Sequence, residues 1–298
     1  RDNMELRVSR FTLYYKLTSS SMTDDVLDNL ITGLFEKTFE ETDSPTEGDY
    51  LRYAWTSLWY GASEEEQGEV SVSYIDNGSS KDYYIDIVYN FTYYTTLEQE
   101  QELTNEVEEV IDGFGFDSTT TKRQKVDRIY NYITTNICYD YANLNDESYK
   151  LKFTAYAALI NKTAVCEGYA VLFYRMAEMC GIDSRVITGW GDSYTHPSDE
   201  NDIPNHAWNI AKIGDYYYYL DSTWDESVTD GVPAKTNYYL KGSKDFFNHT
   251  NEEKFETEAF KSEYPVSDYY IDRTDYNGVV IDGDFTYQVV DGIAALVK

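Results

Sequence analysis

The sequence predicts an α+β protein in which a group of helices precedes an antiparallel sheet, and two changes of periodicity favour this class. Apolar residues recur at helical spacing over residues 126–137 and again over residues 166–180. After that point the pattern changes to strand-like alternation or apolar runs in residues 184–190, 206–213 and 216–222. Because helices and strands occupy successive segments, the sequence favours an antiparallel sheet over a parallel one.

The sequence predicts a separate N-terminal α/β domain over residues 1–116. Three segments have strand composition, namely residues 5–18, 50–60 and 83–95. Thr23 is placed to cap a first helix, and Thr96 with Gln99 forms a capping box that opens a second, expected to end just before Gly113. Nothing in this domain suggests chemistry.

Residues 117–262 predict the central domain. Thr121 and Gln124 form another capping box, and a short helical segment at 153–160 leads towards Cys166. The helix that begins there is expected to stop at a left-handed Gly181.

Residues 263–298 predict a β-rich C-terminal segment with turns at Asn277-Gly278 and Asp291-Gly292. Residues 285–298 resemble the opening of the leucine-rich repeats found in some bacterial surface proteins, and a plain hairpin fits equally well. The chain starts without Met and ends inside a strand-like pattern, so we expect it to be a segment of a longer protein.

Composition excludes several classes of function. The chain has 54 acidic and 24 basic residues, a net charge of −30, which disfavours nucleic acid and anionic membrane surfaces as partners. No apolar stretch approaches the roughly 20 residues that span a bilayer. Three Cys and three His without ligand spacing indicate neither a disulfide framework nor a metal site, and no cofactor motif is present. The acidity leaves basic partners, such as Lys-bearing acyl acceptors, as an option.

Cys166 is the candidate nucleophile. It stands at a predicted helix start, where unpaired N–H groups and the helix dipole favour a thiolate. The same N–H groups can receive the oxyanion of a tetrahedral intermediate.

His206 and Asp221 flank a predicted hairpin whose turn contains Gly214-Asp215. Either Ile213 faces Tyr216, or the loop shifts by one and His206 faces Asp221 directly. Both registers leave the imidazole and the carboxylate on one face, so Asp221 can orient the ring.

These segments resemble the transglutaminase-like superfamily of papain-like cysteine acyltransferases and proteases. The resemblance rests on four motifs: Thr163–Ala170 around the cysteine, Gly181-Ile182-Asp183, Asn205–Asn209 around the histidine, and Tyr219–Asp225 around the aspartate. It implies a papain-like core with Cys166 as nucleophile, His206 as base and then acid, and Asp221 as orienting carboxylate. Residues expected to bind substrate or pack around the site are Glu167, Trp208, Trp224 and Tyr156.

The sequence departs from the family because no side-chain oxyanion donor is evident; Tyr156 and Asn161 are the substitutes considered. The expected function is acyl transfer on Gln side-chain amides or peptide bonds of protein or peptide substrates, through a thioester and without a cofactor. The alternative is a non-catalytic adhesion module that keeps the fold. An extracellular or cell-surface location is expected.

Overall fold

The computed structural model describes residues 10–23, 26–27, 69–90, 94–191, 204–229, 237–272, 279–282, 285–290 and 293–296. The chain divides into two compact units, Arg1–Tyr94 and Thr95–Lys298. The predicted strand at 50–60 and most of the helix expected after Thr23 lie outside the described residues. The boundaries drawn from sequence at 116 and 262 stay predictions, and the helix that follows Thr96 groups with the second unit.

The first unit contains an antiparallel sheet in the order β1-β3-β2. Its strands are β1 (Arg10–Ser19), β2 (Glu69–Asp76) and β3 (Lys81–Asn90). β1 and β3 correspond to predicted strands, whereas β2 was not singled out, although Val70, Val72 and Tyr74 alternate with polar residues. Gly78, with φ of 83°, makes the turn into β3.

Five α-helices are described in the second unit: α1 (Leu97–Gly113), α2 (Lys122–Asn136), α3 (Ala155–Leu159), α4 (Cys166–Met179) and α5 (Glu258–Glu263). Both predicted capping boxes are present, at the starts of α1 and α2. Gly181 is left-handed, with φ of 72°, as predicted for the end of α4. The expectation for Gly113 was wrong by two residues: it is the last residue of α1, and Gly115 is left-handed instead.

Two sheets of the second unit contact α4. A two-residue parallel pair, β4 (Cys138–Tyr139) and β5 (Thr163–Ala164), leads directly into it. The larger sheet has the order β8-β7-β6-β9, built from β6 (Ser184–Gly191), β7 (His206–Ile213), β8 (Tyr216–Leu220) and β9 (His249–Asn251). The predicted α+β class is therefore confirmed.

The middle of α4 is buried, and it contacts the larger sheet through Asn209 on β7. The Asn209 side chain donates a hydrogen bond to the carbonyl of Ala170 at 2.9 Å. On its other side, α4 is tied to α1 by Arg175, whose guanidinium donates to Glu100 at 3.0 Å and to Thr104 at 2.6 Å. These contacts fix the helix that begins with Cys166.

The C-terminal segment forms an antiparallel sheet in the order β10-β11-β12. Its strands are β10 (Val279–Asp282), β11 (Phe285–Val290) and β12 (Ile293–Leu296). Among the described helices, none combines the length and the apolar character needed to cross a bilayer.

Candidate active site

Cys166 is the first residue of α4, and the two residues before it are anchored by backbone hydrogen bonds. Val165, the N-cap, makes no side-chain capping bond. Its N–H donates to the carbonyl of Lys152 at 3.1 Å, and the Ala164 carbonyl accepts from the N–H of Asp140 at 3.0 Å. The thiol therefore stands on a fixed helix terminus whose first N–H groups lack a capping side chain, the environment that favours an anion.

The β7–β8 hairpin brings His206 to Asp221. Ile213 pairs with Tyr216, which is the first of the two registers considered from sequence. Gly214 has φ of 66°, the left-handed backbone that this tight turn needs. His206 Nε2 lies 2.7 Å from Asp221 Oδ2, and the Asp221 side chain is fully buried.

The Cys166 side chain also interacts with the His206 ring, and this interaction favours the charged form of the imidazole. Since Asp221 occupies Nε2, Nδ1 is the nitrogen left to face sulfur. Burial disfavours the charged imidazole, but Asp221 and then Cys166 outweigh it and raise the pKa of His206 to about 10. The structure thus brings together the three residues predicted from sequence, with the His206 ring hydrogen-bonded to Asp221 and interacting with Cys166.

The carboxylate of Asp221 accepts four hydrogen bonds. Oδ1 accepts from the N–H groups of Thr223 at 2.9 Å and Trp224 at 3.1 Å. Oδ2 is shared between His206 and a second histidine, His249, whose Nε2 is 3.0 Å away. Burial would raise the pKa of Asp221, but His206 and His249 outweigh that effect and hold it well below its usual range.

His249 was missed by sequence reasoning. It lies on β9, a three-residue strand that pairs with the end of β6, where His249 faces Gly191. The segment lacks strand-like alternation, and the one available signal was that the chain has few histidines. Its contact with Asp221 joins positions 28 residues apart, which no local pattern reveals.

Aromatic rings enclose the histidines. Trp224 stacks on His206 with ring centroids 4.9 Å apart, and Trp208 lies at 5.7 Å. A Cβ on Gly191 would approach His206 Cδ2 to 2.7 Å and Trp224 to 2.8 Å, so only glycine fits there. The two tryptophans named from sequence therefore pack at the candidate site.

The remaining predicted residues occupy different places. Glu167 is in the first turn of α4, beside Cys166. The hydroxyl of Tyr156 donates to Glu102 on α1 at 2.7 Å, and Asn161 is exposed. Roles of Glu167, Tyr156 and Asn161 in binding or oxyanion stabilisation stay predictions. Tyr139 interacts electrostatically with Cys166, and burial followed by this interaction raises the pKa of its hydroxyl well above the ordinary value.

His206, Asp221 and His249 form a described group whose ligand atoms, within 4.8 Å of one another, converge closely enough to invite comparison with a metal site. Zinc bound tetrahedrally at about 2.0–2.1 Å would hold its ligands about 3.3 Å apart. The two N···O distances of 2.7 and 3.0 Å are instead those of direct hydrogen bonds. The geometry favours a hydrogen-bonded chain over a metal centre.

Comparisons with known proteins point to one superfamily. A family model described as the transglutaminase-like superfamily matches residues 113–222. The chain is 25% identical over 120 residues to kyphoscoliosis peptidase of Homo sapiens, covering 40% of this chain and 18% of that protein. The chain therefore spans less than a fifth of that curated relative.

Solved structures show weaker likeness. One described as a TGase matches with TM-score 0.36 and 20% identity, covering 52% of this chain and 44% of that one. Another, described as a candidate cysteine protease from Cytophaga hutchinsonii, has TM-score 0.28 and 16% identity and covers 52% of this chain and 62% of that one.

Proposed function

Because residues 113–222 form a transglutaminase-like domain, we propose that this protein catalyses cysteine-dependent acyl transfer on amide carbonyls. The substrates are Gln side-chain amides or peptide bonds of proteins or peptides, and no cofactor is needed. The observation that carries the proposal is the position of the His206 ring, which lies 2.7 Å from the Asp221 carboxylate and also interacts with Cys166.

The proposed reaction has two half-reactions, formation of a thioester and its breakdown, and the same residues act in both. The Cys166 sulfur attacks the carbonyl carbon, and the N–H groups at the start of α4 stabilise the oxyanion. His206, which holds the proton taken from the Cys166 thiol, donates it to the leaving nitrogen as the C–N bond breaks; this releases ammonia from a Gln side chain or an amine from a peptide bond and leaves a thioester. Water or a Lys amine then attacks the thioester, His206 accepts its proton, and the C–S bond breaks to restore the thiol. Asp221 stabilises the imidazolium throughout.

The human relative is named a peptidase, which supports hydrolysis as one outcome of the second half-reaction. Transfer to an amine is the other outcome proposed. The choice between water and an amine depends on how far the site excludes water. The extracellular or cell-surface location expected from sequence belongs to this proposal, and protease treatment of intact cells would test it.

The test of the proposal is competitive labelling of the three thiols in the folded protein. Limiting iodoacetamide, followed by peptide mapping, should modify Cys166 first, because thiolate character governs alkylation. Cys180 is the internal reference, since burial raises its pKa to about 11. Equal labelling of Cys166 and the other two thiols would contradict the proposal.

Turnover gives the second readout. Incorporation of a fluorescent amine into a Gln-containing protein detects transfer, and release of new N-termini from peptides detects hydrolysis. Cys166→Ala should abolish whichever activity is present while the circular dichroism spectrum stays unchanged. Turnover that persists in this variant would disprove the mechanism, and an unreactive Cys166 with no turnover would favour the adhesion-module alternative.

A further inference from the structure

Asp221 serves two histidines through a single oxygen. Oδ2 contacts His206 Nε2 at 2.7 Å and His249 Nε2 at 3.0 Å. Both Oδ1 contacts are backbone N–H donors, so the carboxylate has no spare acceptor position. The Asp221 side chain is fully buried and that of His249 is 1% exposed, so water does not replace either partner.

The hydrogen-bond partners of His249 indicate which of its ring nitrogens carry a proton. Nδ1 lies 2.9 Å from the carbonyl oxygen of Phe247, which can only accept, so this nitrogen carries a proton. Nε2 faces a carboxylate that already accepts from three other groups, so it too must donate. A ring that donates from both nitrogens is an imidazolium.

We infer that His249 is a buried imidazolium that positions Asp221 and completes a chain of alternating charge from Cys166 through His206 and Asp221. With the thiolate and His206 charged, the four groups carry negative, positive, negative and positive charges, and their sum is zero. Without His249 the chain would hold one uncompensated negative charge in a buried place, which is costly. The kinetic side of this inference rests on the proposed function, whereas the protonation of His249 does not.

Within the part of the chain that the structure describes, few other titratable groups make ring contacts with His249. His206 on β7 lies 5.5 Å away between ring centroids, and Asp221 follows β8. Tyr238 makes an edge contact at 5.2 Å. The remaining ring neighbours are aromatic and neutral: Trp208, Trp224 and Phe246. Among the described residues, His206 and Asp221 are therefore the groups with which the charge on His249 interacts most strongly.

The charge has a measurable consequence with a fixed sign. A positive charge repels protons from its neighbours, so removing it makes both the thiol and the His206 ring hold their protons to higher pH. His249→Gln keeps an amide donor for Asp221 and removes the charge, whereas His249→Phe removes both. In each variant, the midpoints of Cys166 alkylation against pH should move up by on the order of 1–2 pH units.

Lys244→Gln is the matched control. It removes one positive charge from the same segment, but from an exposed pair with Asp268 at 2.6 Å, and should leave the midpoints in place. Unmoved midpoints in His249→Gln would overturn the inference. Comparison of His249→Phe with His249→Gln separates the effect of the hydrogen bond from that of the charge. Because His249→Phe also removes the donor to Asp221, it should lower the alkylation rate at its pH optimum by roughly 10- to 100-fold, which corresponds to the loss of one hydrogen bond to a charged group.

Magnetic resonance tests the protonation without any catalysis. In protein labelled with ¹⁵N in its three histidine rings, we expect His249 at neutral pH to show a proton on each nitrogen, assigned by its loss in His249→Gln. The same pattern should appear in Cys166→Ala, where no turnover is possible. An unprotonated ring nitrogen on His249 would disprove the inference even if Cys166 proved to be an active nucleophile, and a doubly protonated His249 would stand even if the protein catalysed nothing.

Discussion

Two opposing effects act on the pKa of His206 and on that of Asp221. In both cases the effect of the charged partner is larger than the effect of burial. Burial disfavours the charged form of either group, but each supplies the opposite charge that the other needs. A buried pair of this kind contributes little net stability, yet removal of one member leaves an uncompensated charge and costs about 3–5 kcal/mol. The two residues are therefore coupled in stability as well as in the proposed chemistry.

The coupling predicts a pH dependence of stability. The pKa of His206 is raised in the folded state to about 10, against about 6.5 for an unperturbed His. Since the folded state binds the proton more tightly, the contribution of His206 is fully present below about pH 6.5 and is lost as pH rises towards 10. In a Cys166→Ala background, where the upper limit falls somewhat because the thiol no longer contributes, urea unfolding from pH 6 to 10 measures this loss.

The variant that isolates the effect is Cys166→Ala/His206→Gln. Its stability should depend less on pH over that window, so that the difference between the two proteins shrinks as pH rises. A difference that stayed constant or grew with pH would mean that His206 is neutral in the folded protein.

For individual residues, the sequence predicted contacts that a single local turn sets up, and it missed contacts between residues far apart in the chain. His206 and Asp221 were paired because one tight turn fixes the parity of the hairpin, and their 2.7 Å contact follows from that parity. His249 joins Asp221 through a strand pairing between β6 and β9, whose partners are more than 50 residues apart and carry no matching pattern. Tyr139 is brought towards Cys166 by the β4–β5 pair, which is only two residues long.

Among the elements, α4 depends on close packing at its first turn. A Cβ on Gly168 would lie 2.6 Å from the Cβ of Ala164 and 3.0 Å from the carbonyl oxygens of Lys152 and Thr154. Two of these three neighbours are backbone atoms, which cannot turn away as a flexible side chain can. Gly168 therefore lets the segment before Cys166 lie directly against the helix.

We predict that Gly168→Ala destabilises the protein by about 1–3 kcal/mol, the usual cost of overpacking. The matched control is Gly113→Ala at the end of α1, where a Cβ meets nothing within 4 Å. That change should be neutral or stabilise by up to about 1 kcal/mol through helix propensity. Urea unfolding of the two variants and the wild type makes the comparison. Equal stability of the two variants would show that the contacts around Gly168 relax at no cost.

The elements predicted correctly from sequence are those whose signals lie within a few residues of each other. The capping boxes at Thr96 and Thr121 and the left-handed Gly181 are short-range devices, and all three are present. The end of α1 was misplaced because two glycines, Gly113 and Gly115, lie close together and only the backbone conformation distinguishes them. β9 has three residues, too few for a period of two to appear.

For the molecule as a whole, the dominant property is a net charge of −30. Such a field raises the local concentration of basic partners and speeds their association, and it repels acidic ones. Salt weakens this effect, since the Debye length falls from about 10 Å at 0.1 M to about 3 Å at 1 M. A protein that acts on peptides should therefore prefer basic substrates, and should do so most strongly at low salt.

Two substrate peptides with the same reactive amide, one flanked by Lys and the other by Ser, measure this preference under either outcome of the proposed reaction. We expect kcat/KM for the Lys-flanked peptide to exceed that for the Ser-flanked one by about 10-fold or more at low salt, within the range that steering produces. The advantage should disappear at 1 M salt, because screening acts on association and leaves the buried site unaffected. An advantage that survived high salt would instead indicate direct contacts between the flanking lysines and acidic side chains at the site. A ratio near one at every salt concentration would mean that the charge of the protein has no influence on substrate capture.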